Sequence, residues 1–131
     1  MPLEVHVVTP EREVWSGDAT LVVARGVEGE VGIMAQHAPL LIRLAIGPLT
    51  VRREGEDLLA VVDGGFLHVT TEGQDTRVDV LGTSVALAGE IDPAAEQERK
   101  ASAEARLATD RDDAEAAAEL EKAQARLKLA G

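Results

Sequence analysis

Residues 89–101 read GEIDPAAEQERKA, and the chain changes character inside them. Asp92-Pro93 is a strong helix-start signal. Aspartate caps free backbone N–H groups, and proline at the first helical position lacks only an N–H that would have no partner. Eleven of the twelve glycines precede residue 90, and from Ala94 to Ala130 there is neither glycine nor proline. The charge divides too: residues 1–92 carry 15 acidic and 6 basic side chains, residues 93–131 carry 9 and 7. Two structural regimes meet at this seam, 1–88 and 89–131.

Upstream, short β-branched runs recur about every ten residues: LEVHVV, TLVVAR, LTVRR, LLAVVD, FLHVTT, TRVDVL and SVALA. Turn signals separate them, among them TPER, SGD, RGVEGE, QHAP, EGED and TEGQ. Leu3, Val5 and Val7 alternate with Glu4 and His6, and Val78 and Val80 alternate with Arg77 and Asp79, so each run has one inward face. Asp63-Gly64-Gly65 suits a tight hairpin whose turn needs positive φ. The pattern predicts an all-β sandwich or flattened barrel.

Downstream, the spacing predicts a helix from Pro93 to about Thr109, a break at TDRDD, and a second helix to Leu129, with Asp112 and Asp113 at its positive end. Ala94, Ala101, Ala105 and Ala108 fall on one face of the first helix, and Ala116, Leu120, Ala123, Leu127 and Ala130 on one face of the second. Alanines allow close approach but bury little area, at about 0.8 kcal/mol per CH₂. The expected hairpin is foldable yet detachable.

Composition excludes much. A net charge of −11 argues against nucleic acid, whose phosphates require clustered cations, and against adhesion to anionic lipid. The chain has no cysteine, so there is neither a disulfide framework nor a thiolate zinc site. No basic start followed by a long apolar run marks a secretory signal, and no uninterrupted apolar stretch is long enough to span a membrane. His6, His37 and His68 are isolated in sequence, so no metal is expected. Ser16, Ser84 and Ser102 lie outside any GxSxG context, and Gly26, Gly29 and Gly32 match no phosphate loop. Autonomous catalysis finds no support.

One stretch stays unexplained by a plain domain. Residues 28–41, EGEVGIMAQHAPLL, set Ile33, Met34, Ala38, Pro39, Leu40 and Leu41 around a polar corner, Gln36-His37. Either the segment folds back onto the core, or it forms a partner-binding edge whose carboxylates address cations.

Taken with VDGGFLHV (62–69) and the alanine-rich hairpin, this stretch resembles the epsilon subunits of bacterial rotary F-type ATP synthases. The family pattern is close to GELGI-x-P-x-H-APL followed by SGGFLEV. Gly29-Glu30-Val31-Gly32-Ile33, His37-Ala38-Pro39-Leu40, Gly64-Gly65-Phe66-Leu67 and Val69 match it. The opening VVTPEREVWSGDA is similar to the family's first hairpin.

The resemblance implies a sandwich of about ten strands over 1–88 and a two-helix domain over 89–131. It implies a non-catalytic rotor subunit at the foot of the central stalk, gripping gamma, touching the ring of c subunits and coupling proton flow to ATP synthesis. As part of that enzyme it would sit peripherally on the cytoplasmic face of the cell membrane, without inserting into it. Glu28, Gly29, Glu30, Met34 and His37 would then face the c ring, with Glu30 meeting a basic polar loop.

The hairpin would be regulatory, folded against the sandwich or extended into the alpha/beta catalytic head, where it brakes ATP hydrolysis. Arg99, Arg106, Lys122, Arg126 and Lys128 are its candidate contacts, although bases there also suit solvated pairs with neighbouring glutamates. Relatives that bind ATP in the hairpin carry a motif of the form IDxxRA. Ile91, Asp92 and, on the second helix, Arg126 are the candidates here. Ala95 stands where the motif has arginine and Glu96 where it has alanine. That exchange weakens phosphate binding, so no cofactor is expected. The competing readings are a free-standing sandwich adaptor that recruits partners through the hairpin, and a cupin-like metalloenzyme.

Overall fold

The computed structural model describes residues 2–130. Eight strands precede the helices: β1 (Leu3–Val8), β2 (Glu13–Ala19), β3 (Leu21–Gly26), β4 (Gly29–Ile33), β5 (Leu40–Arg52), β6 (Leu58–Glu72), β7 (Asp75–Gly82) and β8 (Val85–Leu87). A 3-10 turn, Ala88–Glu90, leads into α1 (Pro93–Thr109) and α2 (Ala114–Ala130). The hydrogen-bonded order is β2-β1-β7-β6-β5-β3-β4, with β8 on β6. β1 pairs with β7 in parallel; the other pairs are antiparallel.

Two long strands carry the sandwich. β5 and β6 span 13 and 15 residues and stay paired from Leu40↔Val69 to Val51↔Leu58. On its other side β6 changes partner: Ala60–Val62 pair with β8, and Gly65–Glu72 pair with β7. The change falls at Gly64 and Gly65, whose φ values are +93° and +127°. The two halves face each other, because one cluster of buried side chains joins Leu3, Val5, Val7, Leu67, Val69, Val78 and Val80 to Val22, Ile33, Leu49, Val51, Ala60 and Val62.

The strand reading needs two corrections. Among the described residues the strands number eight rather than the roughly ten that the resemblance implied, and residues 58–72, read as the two runs LLAVVD and FLHVTT, form one strand. Asp63-Gly64-Gly65 is therefore not a hairpin turn. It is the bend inside β6, where positive φ serves the fold of the sheet instead of a chain reversal. The alternation in β1 and β7 holds: Leu3, Val5, Val7, Val78 and Val80 are fully buried.

The second helix is as expected. Asp113 accepts a hydrogen bond from the Ala116 N–H at 2.9 Å and one from Arg106 at 3.1 Å. The Ala116 N–H and the Arg106 guanidinium together hold its carboxyl below the usual aspartate value. Ala116 and Ala123 are buried, Leu120 and Leu127 half-buried, and Ala130 exposed. The first helix is not as expected: Ala94, Ala101, Ala105 and Ala108 are exposed, and the inward face is Glu96, Lys100, Ala103 and Leu107. Alanines scattered around α1 give no single apolar stripe, so a stripe built on a buried glutamate won. Asp92 caps α1 by accepting from the Ala94 N–H at 3.1 Å.

The outer face of β1 and β2 carries a charged net. His6 contacts Glu4 through Nε2 at 2.8 Å and Glu13 through Nδ1 at 3.1 Å. The Glu4 carboxylate, and Glu13 beside it, raise the imidazole above its usual pKa against partial burial and Arg77. A raised folded-state pKa means that imidazolium stabilises the fold at pH below about 6.5, and that this contribution fades as pH climbs through the raised value. An NMR titration should give a His6 midpoint above that of an unfolded control, and His6→Gln should flatten the stability–pH profile there. A midpoint at or below the control would contradict this. At the bend, a Cβ on Gly65 would lie 2.0 Å from the Leu81 carbonyl oxygen. Gly65→Ala should therefore cost at least about 2 kcal/mol in urea unfolding, against about 1 kcal/mol for Gly73→Ala, where a Cβ meets open space.

Candidate functional site

Part of the stretch 28–41 folds back onto the core and part stays exposed. Ile33 is fully buried in the core, and Ala35 and Leu40 pack against it. Met34 and Leu41 stand out, 63% and 65% exposed. The corner between β4 and β5 is built by hydrogen bonds to a neighbouring turn. Gln36, at φ +70°, donates its backbone N–H to Thr76 Oγ1 at 2.8 Å and its side-chain amide to the Gln74 carbonyl at 2.8 Å. Thr71 Oγ1 donates to the His37 carbonyl at 2.7 Å, and His37 Nδ1 lies 2.7 Å from the Ala38 carbonyl oxygen. The β6–β7 turn thus props His37 and presents Met34 outward.

The candidate ring-contact residues divide between the two ends of β4. Met34 and His37 lie at its far end. Glu28 precedes it, and Gly29 and Glu30 open it, paired with Gly26 and Arg25 of β3. Gly29 and Glu30 also line a groove of about 740 Å³ between β3, β5 and α2, with Arg25, Ile46, Pro48, Lys128 and Leu129. Glu28 and Glu30 are exposed, as a carboxylate that meets an external cation must be.

A second surface escaped the sequence reading. Phe66 and Leu81, both 45% exposed, are direct neighbours across β6 and β7. Leu41 lies on the same outer face, opposite His68 of β6, with Arg43 opposite Phe66. Phe66 is the only phenylalanine, and alternation with buried Leu67 already points it outward. That parity was the available signal.

The hairpin meets the sandwich through α2, which lies against β5, β6 and the 3-10 turn, while α1 packs chiefly on α2. Of the candidate cations, Arg106 pairs with Asp113 and Glu115 across the helix turn, and Lys122 with Glu119. Lys128 is exposed beside the groove. Arg126 is different: its side chain is 16% exposed and reaches both Asp63 of β6 and Glu96 of α1, the latter at 3.3 Å. Arg99 pairs with the other oxygen of Glu96, and the Ser84 hydroxyl donates to Asp63. Among the nucleotide candidates, Asp92 is used as a helix cap, Ile91 is half-buried, and Arg126 is shared by two carboxylates.

Among the described residues no group of three or more His, Cys, Asp or Glu side chains is placed to hold a metal ion, and no helix is long and apolar enough to cross a membrane. The surfaces present suit protein contacts.

Comparison with known proteins agrees with this geometry. Residues 2–87 match the family model for the β-sandwich domain of the ATP synthase delta/epsilon chain. The chain is 44% identical to the ATP synthase epsilon chain 1 of Methylococcus capsulatus, covering 97% of this chain and 86% of that one. It is 39% identical to the epsilon chain of Shouchella clausii, over 98% and 94% of the two chains. In three dimensions it superposes on a chain of the OSCP/F1/c-ring structure of Euglena gracilis mitochondrial ATP synthase with a TM-score of 0.81 and 25% identity, covering 98% of this chain and 81% of that one. Matched across both the sandwich and the hairpin, the chain belongs to the epsilon-chain family of F-type ATP synthases.

Proposed function

We propose that the chain is an accessory rotor subunit of an F-type ATP synthase: it joins gamma to the c ring through residues 1–88 and regulates ATP hydrolysis through residues 89–131. The observation that carries this reading is the match to epsilon chains along the whole length, hairpin included. The Euglena structure that the chain superposes on contains both F1 and the c ring. As part of that enzyme the chain associates peripherally with the membrane, on its cytoplasmic face in a bacterial cell.

The two exposed surfaces of the sandwich divide the work. Glu28, Gly29, Glu30, Met34 and His37 serve as the ring-facing edge, with Glu30 addressing a cation on a polar loop. The apolar patch of Leu41, Phe66 and Leu81 offers gamma the kind of core that protein interfaces are built on. An exposed ion pair contributes about 0–1 kcal/mol, so Glu30 tunes coupling while the apolar patch holds the complex.

The hairpin supplies the brake. Folded down, it rests on the sandwich; extended, its cations Arg99, Arg106, Lys122, Arg126 and Lys128 face acidic surfaces of the alpha/beta head. ATP does not control this movement. Asp92 is committed to capping α1, Ala95 supplies no cation, and Arg126 already has two anionic partners.

Reconstituted synthase carrying a chain that ends at Asp92 should hydrolyse ATP several-fold faster than synthase with the full chain, and should still pump protons. Unchanged hydrolysis would remove the brake and leave the rotor role. Glu30→Gln should lower ATP-driven pumping per ATP hydrolysed while gamma and the c ring still co-purify with the chain. Loss of co-purification would make Glu30 an assembly residue instead.

A further inference from the structure

We infer that Arg126 is the latch that sets the docked position of the hairpin. Its single guanidinium, clamped between Asp63 of β6 and Glu96 of α1, ties both helices to the sandwich, and docking lasts while the clamp is intact. As a control on hydrolysis, the latch rests on the brake reading above; as a structural device, it stands by itself.

Apolar packing beneath the hairpin is modest: Val61, on the same face of β6 as Asp63, is fully buried outside the core cluster, and Leu107, Leu120, Leu127 and Leu129 of the helices are half-buried. The hydrophobic core cluster and the side chains packed against it end at Leu87. Within the helices the buried apolar side chains are Ala103, Ala116 and Ala123, each a single methyl group. The deeply buried polar groups are of another order: the side chains of Asp63 and Glu96 are 2% and 5% exposed. Two carboxylates meet two guanidiniums, Arg126 inside and Arg99 at the rim, so the cluster is neutral as a whole.

Such a clamp gives position more than strength. Burying charges consumes most of what their attraction returns, but removing one partner leaves an uncompensated charge in the interior. Sliding or rotating α2 on the sheet would carry the guanidinium away from Asp63, so one register is strongly preferred. The clamp is also incompletely satisfied: Asp63 Oδ1 and Arg126 Nε have no hydrogen-bond partner among the described residues. Both would regain water on release, which keeps the docked and free states close enough to exchange. Glu96 links the two helices to the same event, since it holds Arg126 and Arg99 together. Arg126 cannot serve both states at once. While docked it is shared by two internal carboxylates; released, it is free for an external acidic surface.

Introduced cysteines read docking cleanly in a chain that has none of its own. Thr50→Cys on β5 and Gln124→Cys on α2 lie across the same groove, and a short bis-maleimide joins them when the hairpin is down. In the isolated full chain, adding Arg126→Met should cut the ratio of intramolecular crosslink to single-site capping at least about tenfold, with helix content and the melting of the sandwich unchanged. Lys122→Met, on the same helix, should leave the ratio as it was. Should Arg126→Met lose helix content, Asp63→Asn removes the charge from the sandwich side without touching either helix, and should release the hairpin equally. Undiminished crosslinking in Asp63→Asn, or in a folded Arg126→Met, overturns the latch. In reconstituted synthase the Asp63→Asn variant, which keeps every hairpin cation, should hydrolyse ATP more slowly. Release with unchanged hydrolysis supports the latch and contradicts the brake.

Discussion

β6 keeps its hydrogen bonds to β5 on both sides of a bend at Gly64 and Gly65, and on its other edge exchanges β8 for β7 at that point. The Leu81 carbonyl approaches so closely at Gly65 that no side chain fits. This one constraint turns a continuous sheet into two layers, brings the inward faces of β1 and β7 against those of β3 and β5, and closes the core around them. It also fixes the last residue before the bend. Asp63 is carried to the corner of the sandwich, beneath α2, where its carboxylate meets Ser84 and Arg126.

The division of labour follows. Sheet hydrogen bonds and valine-rich packing build a core cluster to which no helix residue belongs. The exposed Phe66, Leu81 and Leu41 form an apolar patch of the kind that marks a protein-contact surface. The hairpin, by contrast, contributes nothing to the core cluster, and on the latch inferred above its seat on the body is set by buried charges. On the proposed reading, a coupling element and a movable regulatory element share one chain.

Much of this was legible in the sequence. The seam at Asp92-Pro93, the alternation in β1 and β7, most of the face of α2 and the placing of Asp113 at its positive end all follow from local rules that tertiary packing did not override. The misses have a common cause. Gly64-Gly65 satisfies the rule for a hairpin turn and the rule for a bend within a strand equally well, and only pairing across the sheet decides between them. Glu96 looks like one more solvated glutamate on a polar helix; its burial depends on Asp63 and Arg126, 33 residues upstream and 30 downstream. For the same reason the inward face of α1 was misread, since a stripe centred on a carboxylate has no hydrophobic signature. Of the candidate partner surfaces, the corner at 34–37 stood out by its apolar residues in a polar loop, whereas the Phe66 patch lay hidden in ordinary strand alternation.

The central claim is that the position of the hairpin controls ATP hydrolysis while the sandwich alone maintains the rotor. The most direct measurement locks the hairpin down. Synthase reconstituted with the Thr50→Cys/Gln124→Cys chain would be assayed for hydrolysis before and after crosslinking, beside synthase whose chain carries either cysteine alone. Crosslinking should raise hydrolysis to the rate seen without the helices and leave proton pumping coupled. Equal rates before and after crosslinking would contradict the claim.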